Sequence, residues 1–343
     1  MDGGSPRVVT QREVADRAGV SVRTVSNVVN EFAYVADETR ARVQQALDDL
    51  GYRPNLVARS LSQGRSGLLA LVLPFDVPYF TELAAHVVDQ AEARGYTVLL
   101  DRTEGVAERE RELVLRRDRT ALFDGLLFSP LGLTEDDLRR RVGNCPVVLL
   151  GERPAEMFDR VAIDDEAAAR RATEHLLDLG RRRIAVIGEV VHRRRDTAAH
   201  RSAGYRKALR AAGIADDPGL TMVVERFQRE DGLRAMERLL DLDEPPDAVF
   251  CFNDLLALGA MRAVLARGLR VPDDVAIAGF DDIEDGRYST PTLTTVSPDK
   301  AEIAVRAVEQ LARRMSGDTS PPDTVSAPWR LAVRESTAGR GHA

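Results

Sequence analysis

Arg23 and Asn27 stand about one helical turn apart in GVSVRTVSNVVN, the stretch from Gly19 to Asn30. Val22 lies beside the first, and Ser21, Thr24, Ser26 and Asn30 add short hydroxyl or amide side chains. At that spacing a helix turns Val25, Val28 and Val29 to one side and Val22, Arg23, Ser26 and Asn27 to the other. The outer set has a recognisable chemistry. A guanidinium can donate to guanine O6 and N7, a carboxamide can pair with adenine, and an isopropyl group can touch a thymine methyl. The small hydroxyls and amides suit phosphate oxygens. The same spacing serves an α-hairpin with a solvated polar face. Arg23 is the only cation of the stretch, in a chain of formal net charge −7. So acidic a balance opposes indiscriminate binding to nucleic acid or anionic membrane and leaves room only for a specific local surface.

A second set of candidates follows strand-like runs: Tyr79 and Phe80 after LVLP, the HRRRDT loop after IAVIGE, Asn253 and Asp254 after VFCF, and Asp281 after AIAGF. In doubly wound sheets, ligands sit beyond the carboxyl ends of the strands. Aromatic rings there stack on a sugar or a base, and Asn, Asp and Arg make paired hydrogen bonds to hydroxyls or a carboxylate. Asn253 and Asp254 fit equally well as plain N-caps of DLLALGAMRAV, and His192 to Arg194 read as a solvated charge run. No nucleophile elbow, Walker loop, zinc motif or glycine fingerprint follows a strand. Asp164 with Asp165, or Asp281 with Asp282, would be adjacent carboxylates pointing opposite ways, a poor basis for divided acid and base roles. An enzyme is therefore not expected, nor a cofactor or metal. Cys145 and Cys251 are too few and too far apart for a disulfide framework and read as buried thiols.

The elements that must carry these residues fall into two styles. In the first ~60 residues, Thr10 with Glu13 is a capping-box signature for a helix from about Gln11. Gly19 breaks it through positive φ, and Ser21 caps a second helix through Val25 and Val29. A third helix is predicted from about Asp37 to Leu50, its first turn acidic and its end closed by Gly51. Pro54 and Asn55 open a short fourth helix that is marginal alone, and Gln63 to Gly67 read as a flexible joint. From Leu68, continuous apolar runs (LLALVLP, YTVLLD, DGLLFSP, PVVLLGE, RRIAVIGE, TMVVER, PDAVFCFN, DVAIAGFDD) alternate with amphipathic stretches. That alternation is the mark of parallel sheets covered on both faces. At 343 residues, 44% hydrophobic and 30% charged, the chain is an ordinary globular one with room for more than one core. No run is long and apolar enough to span a membrane, and the opening residues lack a secretory pattern, which predicts a cytoplasmic protein.

VTQREVADRAGVSVRTVSNVVN and VADETRARVQQALDDLGYRPNLVARSL resemble the head of the lactose-repressor/galactose-repressor family of bacterial transcription factors. The likeness runs on through PDAVFCFNDLLALGAMRAVLARGLRVPDDVAIAGFDD, RYSTPTLTTV and LAVRESTAG. It implies a helix-turn-helix headpiece over 1–53, a hinge helix and linker over 54–66, and a periplasmic-binding-protein-like core of two doubly wound parallel-sheet lobes over 67–340. The lobes are expected at about 67–163 with 292–326 and at about 164–291 with 327–340.

By the same resemblance Val22, Arg23 and Asn27 read bases, although an Arg is common where this chain has Asn27, so a different operator sequence is implied. Ala36 stands where the family often has a capping Ser. Tyr52, Asn55, Ala58 and Leu61 extend the DNA-binding set, with Leu61 wedged into a minor-groove step of a palindromic operator; Leu61 could instead merely pack on the core. Arg195, Thr197, Arg201, Phe227, Asn253 and Asp281 match effector-lining positions, with Asp254 beside them. The implied function is a homodimeric repressor of sugar-utilisation genes, controlled allosterically by a small molecule, most simply a sugar, in the cleft between lobes. A nucleobase-type corepressor and a solute-binding protein without DNA function are the alternatives.

Overall fold

The chain divides into two compact units, Met1–Ser66 and Gly67–Ala343. The computed structural model describes residues 9–29, 32, 34–52, 65–115, 122–140, 145–151, 156–190 and 197–339. In the first unit, α1 (Gln11–Ala18) starts at Thr10, whose hydroxyl accepts from the Glu13 amide while the Glu13 carboxylate accepts from the Thr10 amide. It stops at Gly19, whose φ of 64° is left-handed backbone that a side chain would strain. Next come α2 (Val22–Val29) and α3 (Asp37–Leu50). Val14, Ala15, Val25, Val28, Val43, Ala46 and Leu47 form the buried centre, with Tyr52 and Val29 partly buried against it. Ala36 offers α3 no side-chain cap.

The second unit holds two six-stranded sheets. The first contains β1 (Leu68–Leu73), β2 (Thr97–Arg102), β3 (Gly125–Phe128), β4 (Val147–Leu150), β5 (Asp159–Ala162) and β11 (Thr324–Ser326), in the order β11-β5-β4-β3-β1-β2. All its pairings are parallel. The second contains β6 (Ile184–Glu189), β7 (Thr221–Val223), β8 (Ala248–Cys251), β9 (Ala276–Phe280), β10 (Thr294–Pro298) and β12 (Trp329–Ala332), ordered β12-β10-β9-β8-β6-β7. Only β12 on β10 is antiparallel. Strand runs such as LALVL and AVFC are buried throughout, as parallel strands covered by helices must be.

Of the helices, four position the site: α4 (Pro78–Glu92), α7 (Asp165–Asp178), α8 (Thr197–Ala211) and α10 (Asp254–Ala266). The others, in chain order, are α5 (Ala107–Leu115), α6 (Glu135–Arg139), α9 (Arg229–Leu240), α11 (Glu284–Tyr288), α12 (Lys300–Met315) and α13 (Glu335–Ala338).

The chain passes between the lobes at 163–164, 299 and 327–328. The expected return to the first lobe at 292 is corrected here, because Thr294, Thr295 and Val296 pair with β9, and Ser297 and Pro298 with β12, in the second sheet. Thr294, Thr295 and Val296 are fully buried there, and α12 then packs on the first lobe.

Candidate functional site

Each sheet has one point where successive connections diverge, between β1 and β3 in the first lobe and between β6 and β8 in the second, and this is where open α/β sheets bind ligands. The segments that leave these strands meet across a single cavity of about 740 Å³. From the first lobe come Asp76, Tyr79 and Phe80 after β1, Arg102 at the end of β2 with Glu104 beyond it, and Ser129 and Leu131 after β3. From the second come Asp165, Thr197, Arg201, Phe227, Asn253 and Asp281.

Arg201 is the centre of the second wall. Helical spacing places Thr197 and Arg201 on one face of α8, both lining the cavity. The Arg201 Nε donates to Asp165 Oδ1 at 2.5 Å, Nη1 donates to the Phe252 carbonyl, and Nη2 lies 3.8 Å from Asp281 Oδ1. Its guanidinium carbon sits 3.4 Å from the centre of the Phe280 ring. A cation so enclosed is fixed in direction by two carboxylates, a carbonyl and an aromatic face. Asp281 has a φ of 110°, the kind of uncommon backbone that persists where surroundings over-determine it.

On the opposite wall Tyr79 and Phe80 meet edge to face, centroids 5.1 Å apart at 82°. Pro78 at the start of α4 sets the backbone for the helix that carries them. The loop at Leu131 is held from below by the buried Glu110, whose carboxylate accepts amides from Leu131, Gly132 and Leu133 at 3.0, 2.8 and 2.9 Å. Gly132 is required there, since a Cβ would come within 2.6 Å of the Ala107 nitrogen.

The effector candidates divide. Tyr79, Phe80, Thr197, Arg201, Phe227, Asn253 and Asp281 are brought together. Asn253 also caps α10, accepting from the Leu256 amide at 2.9 Å, and donates from Nδ2 to the Phe227 carbonyl at 3.0 Å, so it holds Phe227 as well as the helix. Asp254 is not on the cavity wall, which corrects its expected role. It is fully buried in the second lobe, accepting from the Thr295 hydroxyl at 2.6 Å and from the Ile283 amide at 2.9 Å. Burial, reinforced by the nearby Asp281 charge, raises its pKa well above the ordinary carboxylate value. Arg195 lies outside the described residues. Asp165, dismissed on sequence as a catalytic partner, turns out to be the main acceptor of Arg201; Asp76, Arg102, Glu104 and Ser129 were also missed.

In the headpiece, Val22 and Arg23 are exposed on α2 while Val25 and Val28 are buried, and Ser26 and Asn27 are half-buried. The Ser21 hydroxyl accepts from the Thr24 amide at 3.1 Å and shares a 2.8 Å hydrogen bond with the Thr24 hydroxyl. Both therefore shape the start of α2. Asn30, Asn55, Ala58 and Leu61 lie outside the described residues, as does the expected hinge helix. Among the described residues no group of His, Cys, Asp and Glu is arranged to hold a metal, and no helix is long and apolar enough to cross a membrane.

A helical headpiece of this pattern and a two-lobed core with a cavity at the paired switch points define a DNA-binding regulator with a periplasmic-binding-protein-like ligand domain. Residues 10–55 match the profile of the bacterial regulatory proteins of the lacI family, and 173–337 match the periplasmic binding protein-like domain. The HTH-type transcriptional repressor PurR of Histophilus somni is 33% identical over 336 residues, covering 96% of this chain and 99% of that protein. Among solved structures, a LacI-family transcriptional regulator from Sanguibacter keddieii is 47% identical, covering 80% of this chain and all of that one, with TM-score 0.74. The transcriptional regulator CelR in complex with cellobiose is 32% identical over 96% and 99%, TM-score 0.71. The lac repressor dimer bound to operator and the anti-inducer ONPF is 28% identical over 96% and 99%, TM-score 0.84. The chain belongs to the LacI family and is a DNA-binding transcriptional repressor, not an enzyme.

Proposed function

We propose that this repressor binds a palindromic operator as a homodimer and is controlled by a sugar held in the cavity between its lobes. The observation that carries the ligand class is the Asp165–Arg201–Asp281 cluster facing Tyr79 and Phe80. The Asp281 carboxylate and a guanidinium held in place by the buried Asp165 offer an acceptor and donors for hydroxyls, and aromatic faces take the apolar face of a pyranose. The cellobiose held by CelR agrees with this chemistry.

A nucleobase is the second reading, favoured by the aromatic set Tyr79, Phe80 and Phe227 and by the likeness to PurR. For the dimer, the support is β2, an edge strand on which Leu99 and Leu100 are 44% and 54% exposed, together with the dimeric lac repressor. An exposed apolar edge of this kind is normally covered by a partner.

A thermal-shift panel of neutral sugars and nucleobases separates the ligand readings, because a ligand that binds only the native state raises its stability. A gel-shift assay on DNA from its own promoter region, with and without the stabilising compound, then tests control. Absence of any sequence-dependent shift would overturn the proposal.

A further inference from the structure

Lys300 is one of only two lysines in the chain, and its side chain is 7% exposed. Lysine is seldom buried unless paired, because removing an ammonium from water is costly. Its position is unusual in a second way. Lys300 opens α12 directly after the chain has left β10 of the second lobe, so it sits on a lobe crossing.

Its partners come from both sides. Nζ lies 2.9 Å from Glu82 Oε2, on α4 of the first lobe, and donates at 3.0 Å to the carbonyl of Asp282, in the second lobe. The other oxygen of Glu82 accepts the Glu284 amide at 3.1 Å, so the carboxylate also spans the boundary. Nζ stands 5.6 Å from the centre of the Tyr79 ring. Asp282 follows the cavity carboxylate Asp281 directly, and its own side chain is bonded to Arg334, Arg287 and Ser297. The pair itself bridges α4 and α12, both on the first lobe, with Lys300 buried and Glu82 half-buried; each member then reaches across by a hydrogen bond to the 282–284 segment of the second lobe, which follows Asp281.

We propose that Lys300 and Glu82 form an ionic lock that sets the resting closure of the two lobes. It rests on the reading of the cavity as the effector site only for its regulatory use: a ligand touching Tyr79 and Asp281 would act on both ends of the lock. The lock acts in the unliganded protein. With the pair in place, the turn at 282–284 and the first turns of α4 are held to one separation. Without it, the lobes sample more than one.

The test uses the full chain with spin labels at His86→Cys and Arg262→Cys, one on each lobe, in a Cys145→Ser background, diluted with unlabelled protein so that only distances within one chain are read. Double electron–electron resonance is then recorded without ligand or DNA. The unmodified pair should give a single narrow distance distribution. Lys300→Met and Glu82→Gln should each at least double its width, Lys300→Arg should restore most of the narrowness, and the double variant should go no further than either single one, as expected of two ends of one interaction. Should Lys300→Met fold poorly, Glu82→Gln, half-buried and of matched size, carries the test. Unchanged distributions in the single variants, or additive broadening in the double, would overturn the lock. Because no ligand enters, a failed effector screen and a failed lock are separate results.

Discussion

Arg201 and Asp165 are joined at 2.5 Å, Nε to Oδ1, with the same guanidinium 3.4 Å from the centre of the Phe280 ring. The arginine is thereby a fixed donor on the cavity wall, aligned before any ligand arrives, and little ordering cost is left for binding.

Arg201→Lys should weaken binding of whichever compound stabilises the unmodified protein by about 2–5 kcal/mol, because an ammonium keeps the charge but loses the planar fork and the stacking face. Calorimetric titration checks this. Affinity within twofold of the original would remove Arg201 from the site.

Asp254 ties pH to stability in one direction. Its pKa is raised by burial and then by Asp281, so the stability its protonated form contributes is in place below the ordinary carboxylate range and is lost as pH climbs toward the folded value. Asp254→Asn, with its carboxamide matched to Thr295 and Ile283, should gain progressively on the unmodified protein as pH rises above the ordinary carboxylate range, when urea midpoints are compared. A constant difference would show that the group does not titrate differently on folding.

Its neighbour Asp282 works the other way. Burial pushes its pKa up, but hydrogen bonds from Arg334 and Ser297, the Arg334 charge and the bond from Arg287 outweigh this and hold it at about 2. The stability it contributes, about 2 kcal/mol, is present above pH 4 and disappears as pH falls toward 2. Asp282→Asn should lose that amount at pH 7 and converge with the parent at low pH in denaturant titrations.

In the headpiece, Thr10→Ala removes a working capping box and Ala36→Ser supplies a missing cap, so the two should shift local stability by about 1 kcal/mol in opposite directions. Hydrogen exchange of the α1 and α3 amides in the full chain reads both. Equal protection in all three proteins would mean that caps do not limit opening.

Arg23→Ala should relax preference at one base pair by about 1–3 kcal/mol. Selection from a randomised operator library distinguishes this from a uniform loss across sequences, which would place Arg23 on a phosphate.

Much of this was legible in the residues. The capping box at Thr10, the left-handed Gly19 and the buried faces of α2 and α3 follow from local rules that tertiary packing did not override. The central strands announced themselves as unbroken apolar runs. The late strands did not, because TTVSP and WRLA owe their state to neighbours: β10 is a strand through pairing with β9, and β12 through antiparallel pairing with β10. Asp165 is a poor catalytic candidate by sequence, and its place on the cavity wall is not readable there for the same reason, since its acceptor role depends on Arg201, 36 residues away. Asp254 failed in reverse: its place after a strand suggested a ligand, whereas helix geometry turned it inward beneath Asn253.

The three lobe crossings are themselves bonded side by side: the Ala327 amide donates to the Ala162 carbonyl at 2.7 Å, and the Asp299 amide to the Pro328 carbonyl at 3.0 Å. A single tether would let one lobe wander in any direction. Three tethers stitched into a narrow ribbon resist twisting and sliding and leave bending about the ribbon as the soft motion. Opening and closing of the cavity is therefore confined to one coordinate, an angle about that ribbon.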